Sequence, residues 1–421
     1  MLGQRIKELR KQKKLTQEKL ADGIITRSYL SQIEKGLIQP SYEVLEALSN
    51  KLNCSVEDFF DVVENKELTL SQIKKDIKAA ENHTTANLWD KVKNFIEQKN
   101  YFNHPDVNKY DEGILNWIHG KYYEHIHDFN HAIPYLTKSI SLLKEGNYVN
   151  ELVRSLDSLG YLYSRINNHE TALSTLNRAY KIIIHEQISG ILRISLLANL
   201  GIVHGRLSEY YSAINFLEEA IEQNEQTRTH YKAGEIYMAL GICNMELQRF
   251  DQAKKANEKA LKFFKLNENK LYEAGTYTNL GILSSYKKEF HQAQLSFKTA
   301  LNLYTQNNAK PNEIMNVQVE LAKSYFAQKD YESAKSICFD TIETKSKNKH
   351  KAQAYELLGD IYLEESNEEL ALKYYMEAKE IAEFISPNNK QVCRQICKKI
   401  GDCYVVLKDF EKSAYYYQEC F

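Results

Sequence analysis

The sequence predicts an all-α protein with a small N-terminal domain and a long repeat body. The chain of 421 residues contains only 5 Pro and 16 Gly. This scarcity of helix breakers favours helices over a loop-rich or all-β fold. A pattern of about 40 residues also recurs through most of the chain, as is typical of helical repeat arrays.

Composition and charge limit the possible classes of protein. Hydrophobic residues make up 43% and charged residues 26% of the chain, as in soluble globular proteins. The net charge is −1, but residues 1–40 hold nine Lys and Arg against four acids, and residues 41–62 hold one Lys against five acids. This asymmetry is typical of a domain that faces phosphates on one side.

No apolar run reaches the ~18 residues that span a membrane, and no apolar segment of a secretory signal follows the basic N-terminus. The seven scattered Cys residues predict reduced thiols in the cytoplasm.

The stretch LTQEKLADGIITRSYLSQIEKG, residues 15–36, predicts two short helices joined by a tight turn. Thr16 and Thr26 are candidate N-caps of the two helices. Leu30 and Ile33 are spaced to face the core from the second helix. The polar residues of that helix then lie together on its outer side.

Further helices complete a five-helix domain over residues 1–62, which we call the head. A first helix has Leu2, Ile6 and Leu9 on one face, and a later helix begins after Ser41. The segment VEDFF closes the head with two aromatic core residues, Phe59 and Phe60.

The head resembles the helix-turn-helix domain of the Xre, Cro and phage-repressor family. The matching segments are LTQEKLA, the turn, SYLSQIEKG and PSYEVLEALSNKL. In that family the second helix lies in the major groove of double-stranded DNA. The resemblance therefore implies base contacts from the second helix, supported by a glutamine of the first, together with contacts to phosphates. The base-reading residues would be Arg27, Ser28 and Gln32, supported by Gln17, and the phosphate contacts would be Tyr29, Ser31, Lys35 and Lys14.

A plain solvent-exposed helix face also carries Arg, Ser and Gln, so these residue types alone do not distinguish a DNA-reading surface. The caps and core pairs in register favour DNA binding. The resemblance also implies a structural salt bridge between Arg10 and Glu34. The turn is one residue shorter than in the best-known phage repressors.

The body of the chain repeats a Leu-Gly-like pair at spacings of 37–42 residues. The anchors of the repeats are Gly120, Gly160, Gly201, Gly241, Gly281, Ala322, Gly359 and Gly401. Twelve residues after each anchor stands a small residue: Ala132, Ala172, Ala213, Ala253, Ala293, Ala334, Ala371 and Ser413. Small residues at these positions let two antiparallel helices approach closely. The pattern predicts eight helical hairpins, with residues 66–105 as a degenerate ninth.

This is the tetratricopeptide repeat pattern with a long period. A single hairpin cannot bury its apolar face, so neighbouring hairpins stack into a superhelix, here expected to be right-handed, with a concave groove. The predicted organisation is therefore a helix-turn-helix domain at 1–62, a linker at 63–68 and a repeat domain of eight or nine hairpins at 69–421, for peptide binding and oligomerisation.

Together, the head and the repeats resemble the cytosolic peptide-pheromone receptors of Gram-positive bacteria, the Rap, Rgg, neutral protease regulator, PlcR and PrgX group. Length and hairpin number resemble the neutral protease regulator type. The resemblance implies a cytoplasmic quorum-sensing transcription regulator. It would bind a pseudo-palindromic operator as a homodimer or higher oligomer, under control of a short signalling peptide in the groove. Two alternatives stay open: Rap-like binding of a response regulator of the sporulation phosphorelay, alone or in addition, and a phage-type repressor with a scaffolding repeat tail.

The repeat register assigns polar residues to the inner face of the superhelix, where a peptide would lie. The resulting candidates are Arg154, Asp157, Asn199, Arg206, Asn279, Asn316, Lys323 and Glu356. The resemblance implies that an Asn of this face clamps the peptide backbone, and an Arg side chain can hold a carboxylate. Inner faces of helical solenoids are polar by default, so each residue has a structural alternative.

The sequence does not predict an enzyme, a cofactor or a metal site. It has no phosphate-cradling glycine loop, nucleophile elbow or paired-carboxylate motif. The histidines of HGKYYEHIHDFNHA lack the Cys or carboxylate partners of a tetrahedral zinc site. Cys393, Cys397 and Cys403 are interpreted as buried small residues rather than a redox cluster.

Overall fold

The computed structural model describes residues 2–59, 70–99, 101–102, 104–385 and 390–420. All regular structure in these ranges is helical, which confirms the all-α prediction. The predicted linker at 63–68 and the predicted core residue Phe60 lie outside the described residues. The helices are α1 Leu2–Gln12, α2 Gln17–Ala21, α3 Arg27–Glu34, α4 Tyr42–Leu52, α5 Leu70–Thr85, α6 Trp89–Gln98, α7 Lys109–His125, α8 Phe129–Glu145, α9 Val149–Arg165, α10 His169–His185, α11 Ile191–Arg206, α12 Tyr210–Gln226, α13 Ala233–Glu246, α14 Phe250–Leu266, α15 Lys270–Tyr286, α16 Phe290–Gln306, α17 Pro311–Ala327, α18 Tyr331–Ile342, α19 Lys349–Glu364, α20 Glu368–Ile385, α21 Lys390–Val406 and α22 Phe410–Gln418.

The chain divides into two compact units, Met1–Asp76 and Ile77–Phe421. The division falls inside α5, whereas the sequence placed the boundary at the linker before that helix. The first unit contains the head and the second contains the helical hairpins.

Four α-helices and a short 3-10 turn, Glu57–Phe59, form the described part of the head. In the described residues, this turn stands where the sequence predicted the fifth helix, and Phe60 onward lies outside them. Thr16, Thr26 and Ser41 act as N-caps, accepting hydrogen bonds from backbone N–H groups three residues further along the chain at 3.2, 3.2 and 3.4 Å. Their hydroxyls satisfy donors that would otherwise stay unpaired at the helix starts. The buried core of the head comprises Ile6, Leu20, Ala21, Leu30, Ile33, Leu45, Leu48, Leu52 and Phe59.

The start of α1 lies against the end of α3 at a position that only glycine fits. A Cβ atom added to Gly3 would lie 1.9 Å from the carbonyl oxygen of Ile33. Backbone cannot yield as a flexible side chain does, so this contact sets how closely the two helices pack.

Consecutive helices of the second unit pair into eight hairpins within the described ranges, from α7 with α8 to α21 with α22. Each apolar core is shared between neighbouring hairpins. One cluster, for example, joins Leu197 of α11, Leu217 of α12 and Ile236 of α13, all fully buried. Because no hairpin buries its apolar face alone, the repeat array is stable only when neighbouring hairpins stack on one another.

The anchor glycines form sockets for side chains rather than simple backbone contacts. A Cβ on Gly160, Gly201 or Gly281 would lie 2.5 Å from the side chain sixteen residues later. The side chains that fill the glycine sockets are, in order, Leu136, Leu176, Leu217, Asn257, Phe297, Tyr375 and Tyr417. The one anchor that carries a Cβ, Ala322, has the small Cys338 at the matching position, and both are fully buried in one cluster.

Candidate functional site

The outer face of α3 carries the residues that the sequence predicted for DNA contact. Leu30, Ile33 and Glu34 point into the head, where they are buried. The opposite face holds four exposed side chains, Arg27, Ser28, Gln32 and Lys35, and two half-buried ones, Tyr29 and Ser31.

The polar side chains of this face are not used within the protein. Arg27, Ser28, Ser31, Gln32 and Lys35 make no side-chain hydrogen bond or ion pair with the described part of the chain. Their donors and acceptors are therefore available to an external partner. Tyr29 differs, because its ring packs against the core cluster.

A buried ion pair lies beneath α3 and fixes it to the rest of the head. Arg10 Nε donates to Glu34 Oε1 at 2.6 Å, and a second guanidinium nitrogen donates to Glu34 Oε2 at 2.9 Å. This bidentate pair is the salt bridge that the resemblance implied. Burial alone would raise the pKa of Glu34, but the hydrogen bonds from Arg10 and Gln17 outweigh it and lower that pKa below its usual value.

Gln17 has a structural role that the sequence did not suggest. Its amide nitrogen donates one of its two N–H groups to Glu34 Oε2 at 2.8 Å. The contact links the start of α2 to the end of α3 and leaves the second N–H and the carbonyl oxygen for an outside partner.

A groove of about 910 Å³ opens among the first helices of successive hairpins in the second unit. Its walls come from α5, α7, α9, α11, α13 and α15, together with the loop before α13. Four of the eight predicted peptide-binding residues line it: Arg154, Asp157, Asn199 and Arg206.

A buried carboxylate organises the polar wall of the groove. Ser195 Oγ and Asn199 Nδ2 each donate to Asp157 at 2.7 Å. Lys232 Nζ in turn donates to Ser195 Oγ at 3.1 Å and to Asn199 Oδ1 at 3.3 Å. The side chain of Asn199 is therefore oriented by its neighbours, with both its amide nitrogen and its oxygen in use.

Arg154 is held at the other end of the groove by an acid and an aromatic ring. It pairs with Glu81 at 2.7 Å, and its guanidinium lies 4.1 Å from the centre of the Trp117 ring. The Trp117 indole donates to Ser158 Oγ at 3.0 Å, which fixes the ring. Stacking on an indole and pairing with a carboxylate together hold a guanidinium in one orientation.

The other four predicted peptide-binding residues do not line this groove. Asn279 donates to Asn257 at 3.4 Å, Lys323 pairs with Glu320 at 2.7 Å, and Glu356 pairs with Lys399 at 2.7 Å. Asn316 is half-buried on α17, away from the groove. The repeat register selects residues on the inner face but does not indicate which hairpins enclose a cavity.

The sequence did not single out three prominent residues of the groove. Tyr231 and Lys232 lie in the loop before α13, outside the helical positions that the register covers. Tyr272 lies near the start of α15, nine residues before Gly281, the anchor of its repeat. Burial of its hydroxyl raises the pKa of Tyr272 to about 12.

Within the described ranges, no three His, Cys, Asp or Glu side chains are grouped closely enough to hold a metal ion. The same part of the chain contains no helix with the length and hydropathy to cross a membrane.

Family models match three parts of the chain. A helix-turn-helix model matches residues 6–59, and tetratricopeptide repeat models match residues 192–266 and 352–384. The helix-turn-helix match lies in the first unit and the two repeat matches lie in the second, as the sequence predicted.

One curated protein is similar to most of this chain, and another is similar to a shorter part of it. The transcriptional activator NprA of Geobacillus stearothermophilus is 25% identical over 344 residues, which are 80% of each chain. The uncharacterized HTH-type transcriptional regulator YqaE of Bacillus subtilis (strain 168) is 33% identical over 87 residues, which are 20% of this chain and 75% of YqaE.

The quorum sensor NprR of B. thuringiensis has a similar fold. Its apo structure gives a TM-score of 0.58 at 15% identity and covers 85% of this chain and 98% of NprR. The structure of NprR in complex with its cognate peptide NprX gives a TM-score of 0.56 at 16% identity and covers 83% and 97% of the two chains. This chain belongs to the helix-turn-helix-type transcription regulators and is not an enzyme; its sequence is similar to that of the transcriptional activator NprA, and its fold is similar to that of the quorum sensor NprR.

Proposed function

We propose that the outer face of α3 reads operator DNA and that a short signalling peptide bound in the groove controls this activity. The observation that carries the proposal is the presence, in one chain, of an unbonded polar helix face and a separate preorganised groove. The groove volume of about 910 Å³ lies within the range of ~300–1,000 Å³ that is usual for ligand sites.

On α3, the chemistry of each side chain suggests its contact. The Arg27 guanidinium matches guanine O6 and N7, and the Gln32 amide matches adenine N6 and N7. Ser28 can reach a base edge, whereas Tyr29, Ser31 and Lys35 suit phosphates, which fix the position of the protein without specifying sequence. Gln17 supports α3 by donating an amide N–H to Glu34.

The proposed operator is a pseudo-palindrome bound by a homodimer or a higher oligomer in the cytoplasm. Proteins of this class place half-sites one helical turn, ~34–36 Å, or a multiple of it apart. NprR has been solved with its cognate peptide NprX, and its fold resembles that of this chain, which supports a peptide as the ligand of the groove.

The test uses the full-length protein and selection from a pool of random DNA duplexes, followed by footprinting of the selected sequence. We expect a protected pseudo-palindrome, and we expect Arg27→Ala and Gln32→Ala to abolish the protection. Gln4→Ala serves as the matched control, because Gln4 is an exposed glutamine on α1, outside the helix-turn-helix. Failure to select any sequence, with the protein folded, would contradict the proposal.

A second candidate function is binding of a response regulator by the repeat hairpins. Large apolar side chains are exposed at successive hairpins, including Tyr211 at 65% and Tyr286 at 63%. Where such side chains adjoin in one patch, they would form a protein-binding surface. A pull-down of purified response regulators by the Arg27→Ala, Gln32→Ala double variant tests this function separately, since it does not require DNA contacts.

A further inference from the structure

We propose that the groove selects peptides that carry a carboxylate, and that Lys232 and Arg206 are the two residues that recognise it. This inference rests on the proposed function, because it defines the class of peptide for the same groove. Four features of the groove lead to it: the backbone of Lys232, its hydrogen bonds, the surroundings of Arg206 and the state of the nearby acids.

Lys232 adopts a backbone conformation that a lysine rarely takes. It is the N-cap of α13 with φ 52° and ψ 21°, in the left-handed region. The other non-glycine residues of Ile77–Phe421 with positive φ, among those described, all lie two positions after the end of a helix, where this conformation is usual. Its place before a helix, rather than after one, sets Lys232 apart from those residues.

The hydrogen bonds of Lys232 leave one donor for a ligand. An ammonium group has three N–H donors, and two of them are used by Ser195 Oγ and Asn199 Oδ1. Nζ lies 5.6 and 5.9 Å from the centres of the Tyr161 and Tyr231 rings, and all three residues line the groove. Asn199 orients this ammonium through its oxygen, while one of its own N–H groups is used by Asp157.

Arg206 supplies a second cation to the lining of the same groove. Its guanidinium donates to Ser164 Oγ at 2.8 Å and to the carbonyl oxygen of Ser164, and it pairs with no carboxylate in the described ranges. Arg165, its cationic neighbour, is neutralised by Glu124 at 3.3 Å. Arg206 thus keeps an unmatched positive charge at the groove wall.

The acids of the groove do not neutralise these two cations directly. Asp157 already accepts from Ser195 and Asn199, and no contact of 4 Å or less joins it to Lys232. Glu151 and Glu246 each accept from a tyrosine hydroxyl at 3.4 Å.

The remaining acid, Glu235, lies beside Tyr231 and Tyr272. It is placed to accept an N–H of a bound peptide. A peptide that offers a carboxylate to Lys232 and Arg206 and N–H groups to Glu235 would therefore match the charges of the groove. Such charge-assisted hydrogen bonds are stronger than neutral ones.

The carboxylate can come from an Asp or Glu side chain or from the peptide C-terminus. The probe is an equimolar library of synthetic heptapeptides with a free C-terminus, and the same library with a C-terminal amide. Full-length protein is incubated with each library, and retained peptides are identified by mass spectrometry. We expect enrichment of Asp- and Glu-containing peptides if a side chain is read, or loss of retention on amidation if the C-terminus is read.

Variants identify the residues that carry the preference. Lys232→Gln and Arg206→Gln should each reduce the enrichment by about tenfold to a hundredfold, as expected for a charge-assisted hydrogen bond. Lys254→Gln, which changes an exposed lysine on α14, should leave it unchanged. Lys232→Gly removes the ammonium at a residue whose backbone conformation suits glycine, and a thermal melt of each variant checks that the chain remains folded.

The possible failures separate the two proposals. If the wild-type protein retains no library peptide, the proposed function itself is overturned. If it retains peptides without regard to carboxylates, prefers basic ones, or keeps its preference in the Lys232 and Arg206 variants, only the inference about carboxylates is overturned.

Discussion

The outer face of α3 and the polar wall of the groove present similar residue types in opposite states. On α3, Arg27 and Gln32 are exposed and unbonded. In the groove, Asp157, Asn199 and Lys232 are bonded to one another. Side chains that are free before binding lose conformational entropy when they bind, whereas a bonded network is already oriented.

This difference separates residues that contribute to DNA binding alone from residues that also contribute to the stability of the fold. Substitutions on the α3 face should change DNA affinity with little effect on folding. Substitutions in the groove network, and in the ion pair beneath α3, should change the free energy of unfolding as well.

The largest effect is expected from Glu34→Ala. The change leaves the buried Arg10 guanidinium without its carboxylate, and loss of one partner of a buried pair costs ~3–5 kcal/mol. Hydrogen–deuterium exchange in the full-length protein should show faster exchange throughout α1–α3 and unchanged exchange in α9–α15. Glu43→Ala, at an exposed acid on α4, is the control. Unchanged exchange in α1–α3 of the Glu34 variant would show that the pair does not hold α3.

Asp157→Ala should lower the stability of the hairpins around the groove. It removes the acceptor shared by Ser195 and Asn199, and unsatisfied buried groups cost ~1–3 kcal/mol, more when charged. The loss is measurable as faster amide exchange in α9, α11 and α13. Asp340→Ala, at an exposed acid on α18, should not produce it. If the Asp157 variant exchanges like the wild type, the groove is not preorganised and the contrast with α3 disappears.

Arg27→Ala and Gln32→Ala should each weaken binding to the selected operator by ~1–3 kcal/mol, or about 5- to 150-fold, as is typical of bidentate base contacts. Each should also relax the preference at a single base pair. Titration of labelled duplexes measures the affinity, and a thermal melt checks that the head remains folded. Equal losses on specific and random DNA would instead assign these residues to phosphates.

Acidification should mimic the Glu34 change more weakly. The pKa of Glu34 is lower in the folded head than in the unfolded chain, so its stabilisation is fully present above the unfolded value of ~4.3 and is lost as the pH falls through the folded pKa. Amide exchange in α1–α3, corrected for intrinsic rates, should therefore rise at acid pH. In Glu34→Gln this pH dependence should shrink, and its persistence would point to another acid.

Lys35→Ala should have the smallest effect. Lys35 is exposed at the end of α3 and unpaired in the described chain, so it suits a phosphate. Its loss should weaken binding about equally for all sequences and reduce the slope of log affinity against log salt by ~1. A base-specific loss would place Lys35 among the reading residues.

The head and the groove also differ in how far the sequence predicted them. The α3 face follows from one contiguous segment, because caps and the 3.6-residue period place Arg27 and Gln32 outward. The groove combines six helices and a loop, and repeat register alone cannot give the hairpins that enclose space. Lys232 was missed because its loop conformation, not a helical position, directs its side chain.

The contact at Gly3 and the second role of Gln17 were missed for a related reason. Both depend on distances between elements that are far apart in sequence, 1.9 Å from a Gly3 Cβ to Ile33 and 2.8 Å from Gln17 to Glu34. Local patterns of apolar residues carry no information about such distances.

The glycine sockets of the repeat array imply a rule for how its residues change together. A glycine anchor faces a larger side chain such as Phe297, and the alanine anchor Ala322 is matched by the small Cys338. The volume of each pair is therefore shared between two positions sixteen residues apart. Among relatives, these positions should vary as a pair, and a hairpin moved into another array would bring its own spacing with it.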